Sequence, residues 1–318
     1  MTLSELVLVI NFPIFLGWFF KQTKIFREGD ISVLRKFVVK VTVPFIIFRN
    51  LYHADINEMG QLIPAAAAFF TVSILFTAAV LLIRKFTSSQ KEISNSFCIG
   101  SFMGNYGYLG WGVLFYFYGE SGFTRAVFFT VFFWPVFLLL GFVMVVILSA
   151  RKLDKESKTA VFSALRSNAV VPLVAVFIAL VMNFQNISLA PWLSKSIESF
   201  ASITIPAILF TVGLSFSIII KKAHIRAVAT GAVLRLFLGM VFGISAMLLT
   251  SLLFDIDIVT KKVILLESVM PSAAISPFFA DFIDSDKEAV SGVVTFSTLI
   301  SLITLPLWYS IIETWSWI

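Results

Sequence analysis

The sequence predicts an all-α integral membrane protein with ten transmembrane helices in two inverted five-helix repeats. Composition is the first observation: 59% of the 318 residues are hydrophobic and 13% are charged. Soluble domains are about 45–50% apolar and about 25% charged. The second observation is a series of apolar runs near the roughly 20 residues that cross a bilayer. The third is that short motifs recur in order between the two halves of the chain.

Ten apolar runs joined by short loops account for most of the chain. The first begins at Leu3 without a basic segment or a small-residue cleavage site, so we expect a retained span and not a signal peptide. The second carries Lys36, Lys40 and Arg49, and we expect neighbouring helices to shield one of its sides from lipid. The predicted spans are residues 3–20, 33–52, 62–83, 94–118, 123–149, 168–184, 197–219, 227–254, 259–281 and 288–312.

Basic residues alternate between the loops, and 18 of the 24 fall on one side of the predicted bundle. The positive-inside rule places that side in the cytoplasm and both termini outside the cell. The net charge of +6 therefore reflects membrane topology. It indicates a multi-pass protein of the plasma membrane, with the lipid bilayer as partner and no nucleic acid.

Residues 1–150 form the predicted first repeat, 151–160 a charged cytoplasmic linker, and 161–318 the second repeat. Each half holds an odd number of spans, so the second half is inverted relative to the first, as in many secondary transporters. Three pairs of segments recur with offsets of 162, 167 and 171 residues. They are VTVPFIIF with ITIPAILF, FMGN with VMPS, and WPV with LPL.

The fourth and ninth spans are interrupted at corresponding positions. Residues 100–112, GSFMGNYGYLGWG, hold five glycines, and residues 267–278, ESVMPSAAISPF, hold two prolines. Glycine and proline both disfavour a continuous helix. Matched breaks of this kind point to a transporter's binding site, although close helix packing is an alternative explanation. The candidate substrate-binding residues at the breaks are Gly104, Asn105, Tyr106, Gly107, Met270, Pro271 and Ser272.

Charged groups inside a membrane are costly and usually functional. Arg49 is a further candidate for substrate binding, because a guanidinium matches a carboxylate; the alternative is that it reaches the outer interface. Glu267 and Arg235 are candidates for proton or Na⁺ coupling. Ion pairing is the alternative for both.

The chain offers little for other functions. It has one cysteine and two widely separated histidines, so we expect no Cys/His metal site, no cofactor and no enzymatic activity. H⁺ or Na⁺ could serve as a coupling ion. A cation/proton antiporter is disfavoured because residues 123–149 lack paired acids. The substrate, the coupling, the direction of transport and the oligomeric state, monomer or homodimer, stay open.

Several motifs resemble those of the auxin efflux carrier family, which includes plant auxin exporters and bacterial malonate and malate permeases. The resemblance implies ten spans, inverted repeats, fourth and ninth helices that cross where they unwind, and organic acid substrates. One departure is Trp111-Gly112, where the family often has a proline. The motifs are VTVPFIIF (41–48), GNYGYLGWGV (104–113), ITIPAILFTVGL (203–214), ESVMPSAA (267–274) and TFSTLISLITLPLW (295–308).

We therefore expect a secondary-active carrier of small organic anions, malate- or malonate-like carboxylates or auxin-like acids, that works by alternating access. Two alternatives are a Na⁺- or H⁺-coupled symporter of the bile-acid-symporter type and a transporter-like membrane sensor.

Overall fold

A computed structural model describes residues 3–149, 155–216 and 221–316. Within these ranges the regular structure is helical, apart from one isolated antiparallel bridge between Gly104 and Ser272. The prediction of an all-α protein is confirmed for this part of the chain.

The first half contains eight α-helices, with π-helical turns at Val38–Thr42 and Tyr106–Gly110. Pro44 lies in the first turn of α3. Gly119 interrupts α7 with a φ of 65°, a conformation that favours glycine. The helices are α1 Leu3–Gln22, α2 Glu28–Phe37, α3 Val43–His53, α4 Ile56–Gly60, α5 Leu62–Ile83, α6 Lys91–Ser101, α7 Trp111–Thr130 and α8 Phe133–Leu148.

In its described residues the second half contains seven α-helices, a π-helical turn at Leu234–Leu238 and 3₁₀ helices at Lys222–His224 and Ser276–Phe282. Helix α9 begins inside the predicted linker 151–160, whose first four residues lie outside the described ranges. The helices are α9 Lys155–Phe184, α10 Pro191–Ser202, α11 Thr204–Leu214, α12 Ile225–Val233, α13 Gly239–Ser251, α14 Ile258–Ser268 and α15 Lys287–Glu313.

Four continuous helices are long and apolar enough to cross a membrane, and the bent pair Tyr106–Thr130 and Phe133–Leu148, at 41°, would make a fifth. Val7–Gln22 and Val170–Phe184 are shorter apolar helices, so the count of ten stays a prediction. The four helices are Glu58–Phe86, Pro191–Leu214, Lys222–Ser251 and Lys287–Glu313.

Large apolar side chains are exposed along the outside of the bundle; Leu82, for example, has 75% of its surface accessible. An apolar surface of this extent would be a liability in water. It is the expected surface of helices that face lipid chains.

The helices pack mainly on partners from the other half. Helix α1 lies along α11, and α9 lies along α3. Helix α6 packs on α15, and α14 packs on α7. If the halves are matched helix by helix, each contact has a counterpart with the halves exchanged. This arrangement places the two interrupted spans at the centre of the bundle.

Candidate functional site

The two breaks meet in the middle of the molecule. Helix α6 ends at Ser101, and α14 ends at Ser268. Residues 102–105 and 269–275, which follow them, contain no α-helical turn. The glycine-rich and proline-containing sequences explain why both helices stop there.

Backbone hydrogen bonds tie the two breaks together. The amide of Asn105 donates to the carbonyl of Pro271 at 2.7 Å, and the amide of Ala273 donates to the carbonyl of Met103 at 2.9 Å. Each segment thus satisfies polar groups that the other helix lost at its break, as a low-dielectric environment requires. We call this contact between residues 102–105 and 269–275 the crossing.

The predicted site residues of the two breaks all lie at or beside the crossing. Asn105 is 3% exposed and Ser272 is fully buried. The Ser272 amide donates to the hydroxyl of Ser297 at 3.1 Å, while the Ser272 hydroxyl is buried without a hydrogen-bond partner. The structure therefore brings residues 104–107 together with residues 270–272.

Asn105 precedes the π-helical turn Tyr106–Gly110, and its side chain makes no capping hydrogen bond. Its carbonyl accepts the amides of Leu109 and Gly110, both at 3.1 Å. The backbone amides of residues 106–108 are the first of this helix. No carbonyl of the helix precedes them by a full turn, so they have no intrahelical hydrogen-bond acceptor. Asn105 and the first residues of this helix, Tyr106 to Tyr108, line the same cavity.

A cavity of about 90 Å³ opens beside Asn105. Aromatic and aliphatic side chains form most of its wall, and among the described residues no lysine or arginine lines it. The space suits a small, mainly apolar group. Its main lining residues are Val43, Ile47, Tyr106, Tyr108, Trp111, Val127, Phe133, Trp134, Val176, Ile208, Ala273 and Ile275.

A second cavity, of about 40 Å³, adjoins the same asparagine and is more polar. Arg35 lines it and donates to the hydroxyl of Ser215 at 2.8 Å. Sequence reasoning assigned Arg35 only to membrane topology, because it stands beside Lys36 in a group of basic residues. Its hydroxyl-bearing neighbours in this cavity are Tyr108, Thr211, Ser215, Thr295 and Thr298.

Arg49 lies apart from the crossing. Its guanidinium pairs with Glu120 at 2.6 Å and with Glu198 at 3.0 Å, in a separate cavity of about 270 Å³. It is 14 residues beyond Arg35 on a nearly continuous helix, which corresponds to about 21 Å. The structure thus shows an ion-paired Arg49 that lines neither cavity beside Asn105, although Ile47, two residues earlier, lines the apolar one.

Arg235 is fully buried and supports the crossing from behind. Its Nε and Nη2 atoms donate to the Met270 carbonyl at 3.1 and 3.0 Å, and Nη2 also donates to the Tyr106 hydroxyl at 3.3 Å. The guanidinium carbon lies 3.6 Å from the centre of the Phe76 ring. Arg235 therefore satisfies a carbonyl that the break in the ninth span leaves without a helical partner.

Glu267 is fully buried, and both of its carboxyl oxygens lack hydrogen-bond partners. They pack against Gly110, where a Cβ atom would overlap the carboxyl group. Among the described residues, no cation forms an ion pair with Glu267 within 4.0 Å. Lys262, on the same helix, pairs with Glu313 at 2.7 Å instead.

A group that sequence reasoning missed lies near the start of α15. The side chains of His224, Asp286 and Glu288 come close enough to share a metal ion. Asp286 already accepts backbone amides and contacts His224 at 3.1 Å, and Glu288 pairs with Lys221 at 2.6 Å. Burial raises the pKa of Asp286, but the amides of Ala289 and Glu288 and the nearby His224 outweigh it and hold the pKa below its usual value. These contacts fit a helix cap.

Comparison with known proteins decides the family. Residues 2–309 match the model of a family described as "Membrane transport protein". The chain belongs to this family, and the predicted membership in the auxin efflux carrier family is confirmed. The protein is therefore a membrane transporter, of a class that is generally not enzymatic.

Two archaeal relatives support the same conclusion. A protein of Methanothermobacter thermautotrophicus is 27% identical over 310 residues, which cover 96% of this chain and 97% of the relative. One of Methanocaldococcus jannaschii is 26% identical with the same coverage. Both carry the name uncharacterized transporter. This membrane transport protein thus resembles each of them from end to end.

Proposed function

We propose that this transporter is a secondary-active carrier of a small organic anion, which binds at the crossing beside Asn105. The observation that carries the proposal is the position of Asn105 between an apolar cavity and a polar one. The Asn105 amide group and the amides at the start of the π-helical turn would bind the carboxylate. Amides at a helix N-terminus favour negative charge.

The apolar cavity beside Asn105 favours an acid with an apolar or aromatic body. Tyr108, Trp111 and Trp134 line it, and a hydrophobic wall gains little from a second carboxylate. Among the described lining residues of these two cavities, the cationic side chain is Arg35, which lines the polar cavity. We therefore favour auxin-like monocarboxylates over malate- or malonate-like substrates.

Alternating access would involve movement of the two halves around the crossing. The exchange of packing partners between the halves supports the proposed inverted repeat. If the positive-inside rule holds, Arg35 is near the cytoplasmic side. Arg49, paired with Glu120 and Glu198, is then at the outer side.

A ligand screen by thermal unfolding of the purified protein tests this function. A ligand that binds the folded state raises the unfolding temperature according to its affinity. We expect phenylacetate and other aromatic monocarboxylates to stabilise the protein more than malate or malonate at equal concentration. Benzyl alcohol, which lacks the carboxylate, is the matched control. If no organic acid shifts the unfolding temperature, the proposal is wrong.

A further inference from the structure

The carboxyl group of Glu267 has no partner inside the molecule. The side chain is fully buried, and neither oxygen accepts a hydrogen bond from the described residues. A buried, unpaired carboxylate costs several kcal/mol, and such a group usually takes up a proton instead. In this conformation Glu267 is therefore the neutral acid.

Among the described residues, no group around Glu267 pairs with its carboxyl oxygens. Arg235 and Tyr106 are the titratable side chains that face it from the neighbouring π-helical turns. The Nε and Nη2 atoms of Arg235 donate to the Met270 carbonyl and the Tyr106 hydroxyl, while its Nη1 atom is buried without a hydrogen-bond partner and makes no ion pair with Glu267 within 4.0 Å.

Helices α5 and α13, which pack against α14, contain no titratable residue. On α7, which also packs against α14, Arg125 pairs with Glu58 and Asp257. Glu120 of the same helix pairs with Arg49, and Tyr118 donates to Glu313. On α15, Glu313 forms an ion pair with Lys262.

Glu267 contacts one part of the crossing through its carbonyl, which accepts the Met270 amide at 3.1 Å, and contacts the π-helical turn that follows the other part. It lies three residues before Met270, and its oxygens touch Gly110, whose amide bonds to the Asn105 carbonyl at 3.1 Å. An anion beside Asn105 would therefore lie within about two turns of a helix from this carboxyl group. Two negative charges so close repel, so a bound anion favours the neutral form of Glu267.

We propose that Glu267 is the proton-coupling site of the carrier. The inference rests on the proposed function: an anion at Asn105 strengthens proton binding at Glu267, and by thermodynamic reciprocity the proton strengthens anion binding. The two then cross the membrane in the same direction. A hard metal cation would need several oxygen ligands, so the sodium dependence of anion binding separates a cation site at Glu267 from a proton site.

The test measures the affinity for phenylacetate from pH 6 to pH 9, where the ligand itself stays ionised, in sodium and in choline buffers. For the wild type, we expect the dissociation constant to rise with pH by up to tenfold per unit, the limit for one linked proton. Glu267→Gln should bind with little pH dependence, because the amide mimics the neutral acid. Glu92→Gln, an exposed change, should behave like the wild type.

Proton coupling at Glu267 is wrong if the affinity of Glu267→Gln still depends on pH. It is also wrong if the wild-type affinity does not change with pH, or if it changes with the sodium concentration and not with pH. Absence of binding to any organic acid would overturn the proposed function itself, and with it this inference. If Glu267→Gln does not fold, calorimetry of the wild type in two buffers of different ionisation enthalpy replaces it. We then expect the protein to take up between zero and one proton for each phenylacetate bound, measured as the difference in binding enthalpy between the two buffers. No proton uptake at any pH in the range contradicts the proposal.

Discussion

The backbone amide of Asn105 donates a hydrogen bond to the carbonyl of Pro271 at 2.7 Å, although 166 positions separate the two residues in the sequence. This bond joins the interrupted fourth span to the interrupted ninth. It holds the Asn105 side chain where two cavities meet. The crossing therefore joins the two interrupted spans and is also the proposed binding site.

Arg235 should be important for stability. Its guanidinium satisfies the Met270 carbonyl, and hydrogen bonds to charged groups contribute about 1.5–3 kcal/mol each. We expect Arg235→Ala to lower the unfolding free energy by about 3 kcal/mol or more, and Arg235→Lys to retain part of it. Thermal and denaturant unfolding in detergent measure the difference. Arg226→Ala, an exposed change, should have little effect; equal losses in both variants would contradict this role.

Gly110 should be coupled to Glu267. A methyl group at position 110 overlaps the carboxyl group, so Gly110→Ala should destabilise the protein in the presence of Glu267 and much less in Glu267→Ala. Contacting residues typically show interaction energies of about 0.5–3 kcal/mol. Unfolding of the two single variants and the double variant forms the cycle. Strictly additive effects would show that the contact is unimportant.

The fold class could be predicted from the sequence because hydrophobicity, charge bias and matched breaks act through general rules of membrane solvation. The breaks themselves followed from glycine and proline, whereas the contact between them was implied by the family resemblance. The partners of Arg49 could not be predicted, since Glu120 and Glu198 lie on other helices. Arg35 was missed because its position beside a polar cavity depends on tertiary packing that leaves no local motif.

The ion pairs of Arg49 should restrict access to the outer cavity. They link α3 to α7 and to α10, but Glu120 and Glu198 are more than half exposed, and exposed pairs contribute only about 0.2–1 kcal/mol. We therefore expect Arg49→Gln to raise the labelling rate of Thr124→Cys by no more than about tenfold. A membrane-impermeant maleimide measures it, and the natural Cys98 is buried.

Salt provides the control for this effect. Raising the ionic strength screens exposed charges, so it should increase labelling in the Arg49-containing protein and have less effect in Arg49→Gln. If Arg49→Gln leaves the labelling rate unchanged at low salt, these ion pairs do not hold the outer side closed.

Binding of radiolabelled phenylacetate to Asn105→Ala tests the central claim most directly. Loss of a hydrogen bond to a charged group costs about 1.5–3 kcal/mol, so the dissociation constant should rise about tenfold to a hundredfold. Gln185→Ala, which removes an exposed amide, should bind like the wild type, and both variants should unfold at similar temperatures. Wild-type affinity in a folded Asn105→Ala would contradict the assignment of the binding site to the crossing.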